Sequence, residues 1–512
     1  MKKITLMTVF MVMIASLMAQ SVAFPTPYKN LWIYRPAIYT TPVGQDDENN
    51  YFFVHERAVA TFKPKTYTDH LYIVNKNSMQ KGDVAITVAN KYSFLGGVNG
   101  ENSVYALYQS LSSKGDKIVF TIADLGKKPR TMTLNEDNSI TTTANPKYWP
   151  SFETAKSPDG KLLAVLAMVT GKDSRLENLF VAVMNDEGEF QWSGQVSPDF
   201  GGKTFSIGNI SVDNNGTVYL PAYTCMVSGK NVSNIQFVMA RATADGTDSF
   251  TEDVTFGTPQ NFTSKVLSNG DVAVAGYYTD SKTTTATQTS GYYFYRFDPK
   301  SENIADIKSF EFNDGYVEKQ AWARFANVLG NQQYAVSADN IFELEDGSLV
   351  LCGEHRFIKS IYNQQMNSTT YQMLTKNILV STLLPDGTSH FTMIEKQQSS
   401  AQGVYPGDDW RPNCISYTAF PHHNDMYFLF TEDPKNIPYP GKGVVCGPGG
   451  LSYKDSWTNV LMRLTPDQKI TQREINDPKQ LLRCVDFVDD EYFFASGIGK
   501  TDVYLSKYKI EE

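Results

Sequence analysis

The chain has 512 residues, with 46 Lys and Arg against 55 Asp and Glu, a formal charge of -9 and a pI near 5.4. That balance argues against a broad nucleic-acid surface, and beyond the first residues no apolar run is long enough to span a bilayer. The 30 Phe and 29 Tyr recur within short apolar runs, so composition favours packed β-sheets over a disordered chain.

The amino terminus comes first. Lys2 and Lys3 precede an apolar stretch from Ile4 to Met18, followed by small residues from Ala19 to Ala23. This is the layout of a secretory signal peptide, and cleavage is expected after Ala19 or after Ala23. The expected division is therefore a leader over 1–23 and one domain over 24–512, located in the periplasm or secreted.

A recurring phrase organises the rest. A turn of Asp, Asn and Gly opens an apolar strand, as at Ser157-Pro158-Asp159-Gly160, Asn214-Asn215-Gly216, Ser268-Asn269-Gly270 and Glu345-Asp346-Gly347. Strand openings fall near Tyr51, Ser103, Lys161, Thr217, Asp271, Ser348, Met426 and Glu491. The early ones lie roughly 52 to 58 residues apart, a spacing that suits four-stranded propeller blades with long loops. The fold expected is all-β, an eight-bladed propeller, with seven blades as the runner-up. After Asp502 there is room for one strand only. A spare strand at Asn30–Tyr34 is expected to complete the last blade and remove an open edge.

Departures from regularity mark insertions at 301–340, 355–370, 388–413 and 433–455, concentrated in units five to seven. Val317 to Leu329 carries a helical apolar face. Long loops on a rigid scaffold are common recognition surfaces. Candidate ligand residues gather there: Trp322 and Arg324; Glu354, His355 and Arg356; Asp408, Asp409, Trp410 and Arg411; His422 and His423. Trp410 could stack on a sugar face while the acids accept hydroxyl hydrogens. Carboxylates and imidazoles also bind metal, yet neighbouring His422 and His423 on a strand would point to opposite faces.

Chemical motifs are sparse. The five Cys, at 225, 352, 414, 446 and 484, have no metal-ligand spacing, and the Gly-rich run 440–450 lacks the phosphate-loop pattern. Buried thiols are expected at Cys352, Cys414 and Cys484. No cofactor is expected; a structural cation in the central channel, assembled from several blades, would leave no local signature.

The leader, the mature start at Gln20-Ser21 or Phe24-Pro25, and the blades punctuated by Asp-Gly and Asn-Gly resemble uncharacterised exported propeller-like proteins of Bacteroides-type bacteria. The resemblance implies a cell-envelope binding or scaffold protein and names no ligand; the partner expected is a glycan or a cell-envelope protein, and the chain is expected to be a monomer. It carries over no functional residue. A polysaccharide hydrolase or lyase using acids in a propeller pocket is the enzymatic alternative; a protein-protein interaction disk is the third reading.

Overall fold

The computed structural model describes residues 20–25, 37–57, 66–89, 93–100, 104–111, 117–124, 130–133, 140–141, 151–170, 176–282, 289–312, 333–363, 368–396, 398–399, 416–437, 457–475, 480–498 and 502–510. All the sheets among them are antiparallel. Apolar content falls from the middle of a sheet outward. Every residue of Val272–Thr279 is buried, whereas the outer strand of the same sheet, Asn303–Glu311, is mostly open to solvent. A strand covered on both faces must be apolar on both, which is why Val-Ala-Val-Ala-Gly-Tyr-Tyr shows no polar alternation.

Seven sheets are complete blades, each with a hydrogen-bonded path of four strands of four or more residues. The remaining sheet, Ser93–Asn99, Val104–Leu111 and Lys117–Asp124, is not. Its outer position is split between Arg130–Thr133, which pairs with Thr121–Asp124, and the two-residue Ile140–Thr141, which pairs with Ile118 and Lys117. This sheet lies between the sheets of 37–89 and 151–196, packing on one through Ala106 and Tyr108 and on the other through Val98 and Leu107. The expectation of eight blades is corrected to seven complete ones. Strand openings count sheets, and the opening near Ser103 leads into a sheet without a full outer strand among the described residues. Arg130-Thr131-Met132-Thr133 gives that outer position four residues and one apolar side chain.

An amino-terminal strand closes the last blade, as expected, but it is not Asn30–Tyr34, which falls outside the described residues. Gln20–Pro25 pairs with Asp502–Lys509 from Gln20 opposite Lys507 to Pro25 opposite Asp502. Val22 and Phe24 enter a core shared with Phe52, Val54 and Tyr72 of the first blade. The Phe24 ring lies 4.2 Å from Tyr72 and 5.5 Å from Phe52, and Lys81 Nζ donates to the Ala23 carbonyl at 2.6 Å.

A four-stranded antiparallel meander puts its first and third turns on one rim, and its second turn and the crossing to the next sheet on the other. The tight Asp/Asn-Gly turns therefore share a rim, where they bond to one another. Asp213 Oδ1 accepts from the N–H groups of Asn215 and Thr217, each at 2.9 Å, and Gly216 takes φ +87. The Asp159 N–H donates to Asn214 Oδ1 at 3.2 Å, and the Asp346 N–H to Asn424 Oδ1 at 3.0 Å. The longer connections of the last blades leave from the opposite rim. The stretch 355–370, expected as a polar loop, belongs in good part to a long hairpin of Leu349–Asn363 and Ser368–Leu383. The expected helix at 317–329 lies outside the described residues.

Closure makes Phe24 a stability determinant. Phe24→Ala is expected to cost about 3–5 kcal/mol by denaturant unfolding, the range for losing a fully buried phenyl ring. A change below about 1 kcal/mol would mean that the strand does not close the ring in solution.

Candidate functional site

The densest polar cluster lies in the seam between the blade of 333–394 and the blade of 417–475. Glu354 ends an apolar run, Leu-Val-Leu-Cys-Gly-Glu, and its side chain is fully buried. Burial of a carboxylate without partners is prohibitive, so the partners define the site. Lys396, also fully buried, forms an ion pair with Glu354 Oε1. Arg356 Nε donates to Glu354 Oε2 at 3.0 Å, and the Ser416 hydroxyl to the same oxygen at 2.8 Å. Arg356 extends the chain of charges to Asp339 at 2.9 Å, which also accepts from the Tyr417 hydroxyl at 2.9 Å.

Gln398 ties the same cluster together. Its Oε1 accepts from Thr375 Oγ1 at 2.9 Å, from Lys396 Nζ at 3.1 Å and from the Ser416 N–H at 2.6 Å. Its amide nitrogen donates to the Thr431 carbonyl at 2.8 Å. Lys396 and Gln398 leave one blade and Ser416 enters the next. Buried bonds therefore fix both ends of the crossing that carries Asp408, Asp409, Trp410 and Arg411.

Burial and charge set the ionisation states. Burial pulls the Lys396 pKa down, and the carboxylates of Glu354 and Glu432 restore it only in part. Burial also opposes charge on Arg356, but Asp339 and Glu354 more than offset it, and the guanidinium is held more firmly protonated than usual. Burial raises Asp339 despite Arg356. His355 sits with its imidazole pushed down to about 3 by burial and by the positive charges of Lys376 and Lys396, so it stays neutral. Glu432, at the end of Met-Tyr-Phe-Leu-Phe-Thr-Glu, is pushed up to about 7 by burial. Opposing that, its Oε1 accepts from Asn436 Nδ2 at 2.8 Å and from the Asp433 N–H at 2.9 Å.

The structure does not bring the sequence candidates into one cluster. Glu354 and Arg356 share the seam and His355 is buried beside them on the same strand. His422 and His423 sit in the turn joining Tyr417–His422 to Asp425–Glu432, on the tight-turn rim, where His423 Nδ1 lies 2.9 Å from Glu345. Glu354 is about 17 Å along its strand from Leu349 at that rim. Trp322, Arg324 and Asp408 to Arg411 lie outside the described residues. Sequence reasoning missed Asp339, Thr375, Lys396, Gln398, Ser416 and Glu432. Only Glu432 gave a local signal, an acid ending an apolar strand as Glu354 does.

The groups around Glu354 already use its oxygens, and among the described residues no set of three or more His, Cys, Asp or Glu could hold a metal ion. Cys225 and Cys352 are free and buried; Cys484 is half-buried rather than buried as expected, and Cys414 lies outside the described residues. Among the described residues no helix is long and apolar enough to cross a membrane.

Two measurements test the seam. Lys396→Met leaves Glu354 short of its main counter-charge and is expected to cost about 3–5 kcal/mol; the double variant with Glu354→Gln should recover a good part of it. Glu432 gives a pH signature. The folded protein holds the Glu432 proton more tightly than the unfolded chain, whose ordinary value is 4.5. Its stabilising contribution is complete below that value and is lost as pH rises through about 7. Glu432→Gln should therefore gain on the parent protein between pH 4.5 and 8, by up to about 3 kcal/mol in unfolding free energy. Parallel stability curves would contradict the assignment.

No family model matches the chain, and no curated protein matches it. Solved structures give weak similarities. The β-propeller domain of the Trilobed protease from Pyrococcus furiosus is 8% identical over 71% of this chain and 96% of its own, with a TM-score of 0.33. The WD40 domain of SCAP from fission yeast is 8% identical over 92% and 98%, at 0.31. A Synechocystis apocarotenoid oxygenase is 8% identical over 95% and 96%, at 0.33. The sheet topology itself is that of a propeller, an architecture consistent with a platform for binding ligands or proteins.

Proposed function

We propose that the protein is a non-catalytic recognition or scaffold protein outside the cytoplasm, binding a glycan or another cell-envelope component through the rim opposite the tight turns. The observation that carries this reading is the buried anchoring of the 396–416 crossing at both ends by Lys396, Gln398 and Ser416. Loops held in place before binding lose less conformational entropy when a ligand arrives. The same rim carries two projecting hairpins. Tyr362 near the tip of one is 59% exposed, and Met226 near the tip of the other is 50% exposed. Exposed apolar and aromatic side chains on rigid supports suit contact with a sugar face or a protein partner.

An array of soluble bacterial polysaccharides tests the proposal, with the parent protein and Trp410→Ala compared at equal folding. The parent is expected to retain at least one polysaccharide, Trp410→Ala to bind it about tenfold or more weakly, and neither to release reducing ends. Release of reducing ends by the parent would replace the binding reading with a hydrolase or lyase.

A further inference from the structure

We infer that the chain is processed between Ala19 and Gln20, and that the strand so released is the one that closes the ring. The inference rests on the export reading above. The residue pattern alone favours the other cut, because Ala23 and Ser21 are both small, whereas a cut after Ala19 places Leu17 at the third position before the bond.

The fold favours Ala19. Within the described residues the closing strand is paired throughout, with Gln20, Ser21, Val22 and Ala23 opposite Lys507, Ser506, Leu505 and Tyr504. A cut after Ala23 would remove four of those six paired residues. Val22 would leave the core it shares with Phe487 and Phe494, and the carbonyl that accepts from Lys81 Nζ would go with it. Leu505 and Tyr504 would then sit on an unpaired strand edge, the feature that closed sheets exist to avoid. A cut after Ala19 spares all of this, since every paired residue of 20–25 stays on the chain.

The step is a simple hydrolysis. Water adds to the Ala19 carbonyl, the Ala19–Gln20 C–N bond breaks, and the products are an Ala19 carboxylate and a free α-amine on Gln20. The enzyme required is an endopeptidase of the leader-peptidase class that accepts a small residue before the bond.

The test is to express the full chain in an exporting bacterial host, recover it from periplasm and medium, and identify its first residue by peptide mass spectrometry. A start at Gln20, or at its cyclised form after loss of ammonia, is expected. Any other processed start, Phe24 included, overturns the inference and leaves export standing; retention of Met1 with all protein in the cytoplasm overturns both. Chains begun at Gln20 and at Phe24 are then compared by thermal unfolding. The shorter is expected to melt lower by about 5 °C or more; equal midpoints would contradict the closing role of residues 20–23.

Discussion

Ring closure is the constraint on which the rest depends. Open antiparallel sheets present unpaired N–H and C=O groups at their edges, and a row of sheets that does not meet itself leaves two faces without partners. In this chain the last sheet holds three strands from its own region, and the fourth comes from residues 20–25. The pairing is short, yet it brings Phe24 into contact with the first blade while Val503 and Leu505 of the last contribute to the same core. The two ends of the chain are thus joined by backbone hydrogen bonds and by apolar burial together, so neither face is left bare.

Closure also sorts the connections. With the strands running alternately up and down, one rim receives the short turns and the other receives the crossings. On the first rim Asp and Asn side chains satisfy backbone groups in their own turn and in that of the preceding blade, as Asp213 and Asn214 do. That rim has little freedom to vary, since a longer turn would break its neighbour's bonds. Insertions therefore accumulate on the other rim, where only the crossing itself must be supported.

Much of the fold was legible because turn chemistry is local. Openings expected near Thr217, Asp271 and Ser348 are strands beginning at Val218, Val272 and Leu349. Polar stretches were harder to read. Among the described residues the outer position of the 93–141 sheet holds only two short pieces, and nothing in the opening at Ser103 shows it, so the count of complete blades came out one too high. The closing strand was placed at Asn30–Tyr34 because residues 20–25 read as a cleavage region. Small residues such as Ser21 and Ala23 look alike whether a peptidase or an edge strand selects them. The seam was legible at Glu354 and Arg356 alone. Lys396, Gln398 and Ser416 come from a crossing, and Asp339 from another strand, so their meeting is a property of the ring.

The seam's chemistry explains why charge is used there. Apolar residues of similar volume would often be at least as stable as a buried ion pair. What they would not supply is direction. Glu354 accepts from Lys396, Arg356 and Ser416 at distinct angles, and Gln398 bridges Thr375 to Thr431 across the two blades. A crossing held by an apolar contact could slide by a residue and stay buried, whereas one held by this network cannot shift without leaving a charge unpaired. The cost of burying Glu354 and Lys396 is thereby converted into fixed positions for Lys396, Gln398 and Ser416 at the two ends of the crossing. Glu432 shows the limit of the arrangement: burial outweighs the pull of Lys396 and its hydrogen bonds, and it retains its proton to about pH 7.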